Sequence, residues 1–323
     1  MGTIAGLSLT LGGGFVVDAW SNSSEMPPIE AYSVLFSTGI LFGLISVLVI
    51  MRLPEPQMEG GHSESFRSLV RIPLRDAGFR SLLGFIAVWN FSINLATPFF
   101  VVFMLERLKM PMRAVTVLIV LQQLVYVFSV RIWGTLSDRF SNKAVLSTSV
   151  PLALAAVAAW SFTMLPERYA LTIPLLIAIQ IGIGFSLSAI PLSITNLALK
   201  QSPPGLTHAY MMMADLAGAP SGAIAPLIGG WMMDFFAARH FALTIQWSGP
   251  INELSLHVLS IGGLDFVFLI SAAVGIIAAQ CLALIPEPGV SGSVLWEFKE
   301  EISLPFRRSP STASFRENDP LGV

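Results

Sequence analysis

The residues of this sequence that could do chemistry are polar side chains set inside long apolar runs. Asp215 follows Met211-Met212-Met213 and stands at the edge of the charge-free run 216–233. A carboxylate at membrane depth is unfavourable without a partner or water, so it is a functional candidate by default. Two readings apply to it: a proton-carrying group, or a carboxylate that snorkels to the membrane edge or pairs with Lys200. Its place near the end of the run favours the second. Run 81–105 carries Trp89, Asn90, Asn94 and Thr97, the last three on one helical face by their spacing. Gln122 and Tyr126 lie in the run 114–130, and Gln180, Gly184 and Ser188 follow in steps of four in the run 169–199. Amides in hydrocarbon need partners, so such faces point into a helix bundle or a water-filled cavity. For any single residue the competing reading is interhelical hydrogen bonding, worth roughly 0.6–2 kcal/mol per bond. The sets hold amides and hydroxyls but no basic residue, which argues against a polyanionic occupant.

The elements that must position these groups follow from composition. A chain of 323 residues with 54% hydrophobic and 12% charged residues is too apolar for an ordinary soluble domain. Charge-free runs occupy 1–17, 31–51, 81–105, 114–130, 144–166, 169–199, 216–233 and 266–286. Each is near the ~20 residues a helix needs to span hydrocarbon, the first and fourth being the shortest fits. The expectation is an all-α integral membrane protein with eight transmembrane helices. A transmembrane barrel would alternate over ten-residue segments, and these runs do not. Cys281 is the single cysteine, so there is no disulfide framework, and the four histidines show no metal-ligand spacing. No hydrolase, kinase or phosphate-loop motif is present, so neither an enzyme nor a cofactor is expected. The basic residues lie at run edges and not on one soluble face, which excludes a nucleic-acid partner and leaves the lipid bilayer.

The most charged point between two of the runs is Gly134-Thr135-Leu136-Ser137-Asp138-Arg139-Phe140-Ser141-Asn142-Lys143. A turn this short between two membrane-length segments sits at a membrane face. The stretch resembles the cytoplasmic signature of the major facilitator superfamily, G-x-L-x-D-R-x-G-R-[KR]. Gly134, Leu136, Asp138, Arg139 and Lys143 match it, whereas Ser141 and Asn142 replace its second glycine and its middle arginine. The resemblance implies a transporter moving a small solute by alternating access, with proton coupling as one option, and this stretch as a cytoplasmic gate loop. It also implies that the helices carrying Asn90 and Gln180 line the central path. With the stretch in the cytoplasm, only Arg107, Lys109, Arg113, Arg168 and Arg239 of the 18 lysines and arginines fall outside. That is the positive-inside pattern, and it puts both termini in the cytoplasm of a multi-pass protein of the plasma (inner) membrane.

An internal repeat supports the resemblance. Gly6 to Trp20 matches Gly222 to Phe236, aligning Gly13 with Gly229 and Asp18 with Asp234. Leu53-Pro54-Glu55-Pro56 matches Ile285-Pro286-Glu287-Pro288, which aligns Gly43 with Gly275. The two helices of 1–52 therefore look like the last two of an N-terminal half. Residues 53–80 would link the halves, 81–288 would form a six-helix C-terminal half, and 289–323 a partly disordered tail. The family's first four helices have no counterpart, so the expected partners include a missing N-terminal half. The alternative reading is a non-transporting remnant or one subunit of a split transporter. The resemblance further implies that Asp138 docks on the first turn of the helix at 1–20, with Gly134 allowing close helix approach. Arg67, Arg71 and Arg75 suggest a short interfacial helix broken near Pro73. Asp265 is expected at the membrane interface. Alternation through Phe241–Trp247 and Leu254–Val258 around Ser248-Gly249-Pro250 predicts a small hairpin lid.

Overall fold

A computed structural model of the chain describes residues 12–13, 29–52, 66–164, 171–248 and 253–287. Its elements are α1 (Ile29–Ile50), α2 (Phe66–Arg75), α3 (Ala77–Val102), α4 (Met112–Arg139), α5 (Asn142–Ala159), α6 (Thr172–Gln201) and α7 (Thr207–Ala237). An antiparallel hairpin, β1 (His240–Ser248) and β2 (Glu253–Gly262), leads into α8 (Leu264–Ala283). A π-helical turn, Phe103–Arg107, extends α3, and a 3₁₀ turn, Trp160–Phe162, extends α5.

Six helices, α3 to α8, are long and apolar enough to cross a membrane among the described residues. Successive ones run in opposite directions, so one end of the bundle carries the 134–143 stretch and the other carries the hairpin. Helix α1 has 22 residues and so is about 33 Å long, enough for a hydrocarbon core of about 30 Å. Its side chains from 36 to 50 are exposed. Of the expected first helix, 1–17, only residues 12–13 are described, both helical, and the Pro-Glu-Pro ending at 53–56 lies outside the described residues. At the repeat pair Gly43 and Gly275, a Cβ on Gly43 would meet nothing within 4 Å among the described residues, whereas one on Gly275 would strike the Leu154 side chain.

Burial sets the order of the bundle. Helix α3 packs on α7 and α8, α5 packs on α6 and α8, and α4 packs on α6. Toward the 134–143 end the core is Phe79, Phe85, Trp89, Leu146, Tyr210 and Leu282 with their neighbours. Toward the hairpin end it is aromatic, with Phe100 stacked on Trp160 at 4.7 Å and Phe103 edge-on to Phe268 at 5.5 Å. The Ser92 hydroxyl donates to the Ser271 carbonyl (2.8 Å) and the Ser271 hydroxyl donates to the Ser92 carbonyl (2.7 Å), a reciprocal pair that ties α3 to α8 in the dry interior.

Two local expectations change. The 134–143 stretch is not a loop. Helix α4 continues through Arg139 and α5 begins at Asn142, with Ser141 capping it by accepting from the Ala144 amide at 2.9 Å. Only Phe140 and Ser141 turn the chain, because a serine cap needs no longer approach. Pro73 does not break α2, which runs to Arg75; the break falls at Asp76, whose carboxylate accepts from the Gly78 and Phe79 amides and starts α3 at Ala77. Asp265, at the start of α8, is buried within the protein at 2% exposure. Arg107 reaches it at 3.0 Å and also donates to the Gly262 carbonyl, while the Gly262 amide donates to Asp265. The hairpin itself forms as the alternation predicts, with a register shift between Leu243 and Thr244. Gly263, at φ +54°, makes the turn from β2 into α8 that a side chain would resist.

Candidate functional site

A groove of about 420 Å³ opens between α3, α6 and α7 toward the 134–143 end of the bundle. Helix α3 contributes Trp89 and Asn90, α6 contributes Pro191 and Thr195, and α7 contributes Asp215 and Gly218, with isoleucine and methionine side chains between them. Asp215 is the ninth residue of α7, about 12 Å along that helix, and its side chain is exposed. Lys200 is not its partner. The lysine ammonium lies 3.0 Å from the Glu287 carboxylate instead. Asp215 thus lines the groove and is not paired with Lys200, the partner its sequence position offered.

The amide ladder of α3 sits on the seam with α7. The Asn90 amide donates to the Ile86 carbonyl (2.9 Å) and the Asn94 amide to the Asn90 carbonyl (2.8 Å); Thr97 bonds back to Ile93 in the same way and is exposed. A Cβ on Gly218 would stand 2.9 Å from the Asn90 amide nitrogen, and one on Gly222 would stand 3.7 Å from that of Asn94. The glycines of α7 therefore make room for the asparagines of α3. The second polar set goes elsewhere. Gln180 and Ser188 are buried, and Gly184 presses α6 so close to α4 that its Cβ would lie 2.4 Å from the Gln122 carbonyl oxygen. Ser188 donates to the Phe185 carbonyl at 2.7 Å. Gln122 and Tyr126 are half-buried on α4 and do not line the groove. What α6 turns toward the groove is the Pro191–Thr195–Ala198 stretch, which continues the stripe of the steps of four further along the helix.

The 134–143 stretch is held by a residue that sequence reading passed over except as half of a repeat. Glu287, with its side chain 2% exposed, accepts from the Asn142 and Lys143 backbone amides (3.1 and 2.9 Å), the Asn142 side chain (3.1 Å) and Lys200. Burial pushes its carboxyl pKa up, but the Lys143 amide, the Lys200 ammonium and the Asn142 donors together hold it below the ordinary 4.5. Those amides form the unpaired N-terminal turn of α5, where a carboxylate is favoured twice over, by hydrogen bonding and by the helix dipole. Lys143 completes the clamp by donating to the Ala283 and Ile285 carbonyls at 3.0 and 2.8 Å, the open C-terminal end of α8. Leu136 is half-buried beside Trp133 and Val145, Arg139 lies over the Phe140 ring at 5.1 Å, and Asp138 is exposed. Among the described residues Gly134 faces Leu192, at an ordinary 3.9 Å, and the close helix approach within the bundle is at Gly184.

Residues 1–226 match the family profile described as Major Facilitator Superfamily. The chain belongs to the major facilitator superfamily. The matched span takes in the 134–143 stretch and the groove-lining parts of α3, α6 and α7, and ends before the hairpin. Among solved structures, the fold matches a point mutant of the nucleoside transporter NupG with a TM-score of 0.61 at 15% identity, over 86% of this chain. The chain spans 66% of the length of that transporter. At that identity the likeness establishes the superfamily fold and nothing finer. No curated protein matches the sequence. Membership of this superfamily, with six membrane-length helices, makes the chain a multi-pass membrane protein of a transporter family.

Proposed function

We propose that this protein is a secondary transporter that moves a small solute by alternating access, and that the α3–α6–α7 groove is the face its C-terminal half turns toward the solute path. The observation that carries the reading is the groove itself. It is the place where α3, α6 and α7 leave polar groups unburied between them, while the opposite faces are packed on α4, α5 and α8. In a protein surrounded by hydrocarbon such a face is tolerated only where it meets water or other helices. The remaining parts belong to the same reading: eight spans, both termini and the 134–143 end in the cytoplasm, and a plasma (inner) membrane location. Residues 1–52 supply two helices of the opposing half, and Asp138 latches onto the start of the first of them. Glu287 and Lys143 keep α4, α5, α6 and α8 together as one rigid body while that latch opens.

The test is accessibility. With Cys281 replaced by serine, single cysteines at Thr195 and Asn90 are expected to react with a membrane-impermeant maleimide in proteoliposomes, and a transported solute is expected to slow that reaction. A cysteine at Ser202 should react only from the side opposite one at Ser248. Unreactive groove positions from both sides, together with unsaturable uptake, would sink the transporter reading.

A further inference from the structure

Among the described residues the groove holds a carboxylate with no cation beside it, and this restricts what can occupy it. Among its lining residues Asp215 is the one charged group, and no described cation faces it there. Lys200, the base that its sequence position offers, is committed to Glu287 at 3.0 Å. Asn90 spends one of its two side-chain N–H groups on the Ile86 carbonyl, and its amide nitrogen stands nearest Gly218 of the groove wall. Trp89 adds an indole, and Ile86, Ile190, Ile194 and Met211 add apolar wall. A carboxylate and an aromatic ring in an apolar cleft make a receptor for a positive charge on an apolar body. An anionic solute would be repelled by the carboxylate, and a neutral one would leave it unpartnered at membrane depth.

We infer that the groove binds an organic cation, an amine or quaternary ammonium with an apolar group, through Asp215. The inference rests on the groove being the solute path and adds the chemical class of the solute. At about 420 Å³ the cleft falls in the range of about 300–1,000 Å³ typical of small-molecule sites.

The experiment compares two probes of one shape, 4-(trimethylammonio)phenol and the neutral 4-tert-butylphenol, binding to the purified full chain in detergent. Calorimetry or equilibrium dialysis reads their dissociation constants. The cation should bind at least tenfold more tightly than its neutral isostere. Asp215→Asn should erase that preference without changing the affinity for the neutral probe, and Asp215→Glu should restore it. Thr195→Trp, which fills the cleft, should abolish binding of both. Equal affinity for the two probes, unchanged by Asp215→Asn but lost in Thr195→Trp, would overturn the cation inference and leave the groove as the solute site. Cation binding that persists in Thr195→Trp would overturn both. Failure of the cation to bind at all also overturns the inference, while the cysteine accessibility above still decides the transporter reading.

Discussion

Two carboxylates in the half of the bundle that carries the 134–143 stretch live in opposite circumstances. Glu287 is buried and saturated, with two backbone amides, an asparagine amide and a lysine ammonium on its two oxygens. Asp215 is exposed in a groove that offers it no cation. From sequence alone Asp215 draws attention, because it interrupts an apolar helix, and Glu287 does not, because it follows one. The geometry reverses the expected assignment of Lys200 and divides the labour between them. One carboxylate is spent on holding helices together, and the other is left unspent. Partner count, more than depth in the apolar run, separates a structural acid from one available to a ligand.

That contrast can be broken by substitution. Glu287→Ala removes the acceptor of a buried donor cluster and should lower stability by about 3–5 kcal/mol, read as thermal unfolding in detergent. Asp215→Asn, at an exposed position, should stay within about 0.5 kcal/mol of the parent in the same assay. Equal losses in the two variants would erase the distinction. Next in size is Gly184→Ala, which must push α6 off the Gln122 carbonyl and should cost about 1–3 kcal/mol. Gly134→Ala has room for its methyl and should cost less than about 1 kcal/mol. A larger loss at Gly134 than at Gly184 would mean that the signature glycine, and not the α4–α6 seam, is the tight contact.

The acid response sharpens the comparison further. The folded-state pKa of Glu287 lies below its unfolded value of 4.5, so its contribution is complete above that value and disappears as pH falls through the depressed folded pKa. Unfolding temperature in the parent should therefore drop below pH about 4.5, and Glu287→Gln should flatten that drop. An acid limb of the same depth in parent and variant would show that another group supplies it.

The helices were readable from the charge-free runs because a bilayer imposes a length that composition alone can satisfy. Their ends were not. Charged residues such as Arg139 and Asp138 lie beyond hydrocarbon yet stay helical, so α4 extends nine residues past the end of the run at 130. The polar faces were half readable. Asn90 and Asp215 do meet at one groove, but the steps of four through Gln180, Gly184 and Ser188 mark a packing seam, where a glycine with small or amide neighbours lets two backbones touch. Periodicity identifies a face and leaves its destination open. Gly218 and Gly222, standing opposite Asn90 and Asn94, carried the missing signal: small residues on one helix answer bulky polar ones on another. The Arg107–Asp265 and Lys200–Glu287 pairs join residues far apart in the chain, and no local pattern announces them.

The reciprocal Ser92–Ser271 bonds also set a timetable for biosynthesis. Their partners lie 179 residues apart, so α3 must enter the bilayer long before α8 exists. At roughly 5–20 residues per second, the ribosome leaves roughly ten to forty seconds between the two. During that interval the α3 face that will meet α8 has no mate, and the bundle cannot close from its N-terminal side onward. Co-translational quality control would see an open half-bundle until nearly the last membrane segment emerges, and a lesion in α8 should therefore expose α3 to degradation as surely as a lesion in α3 itself.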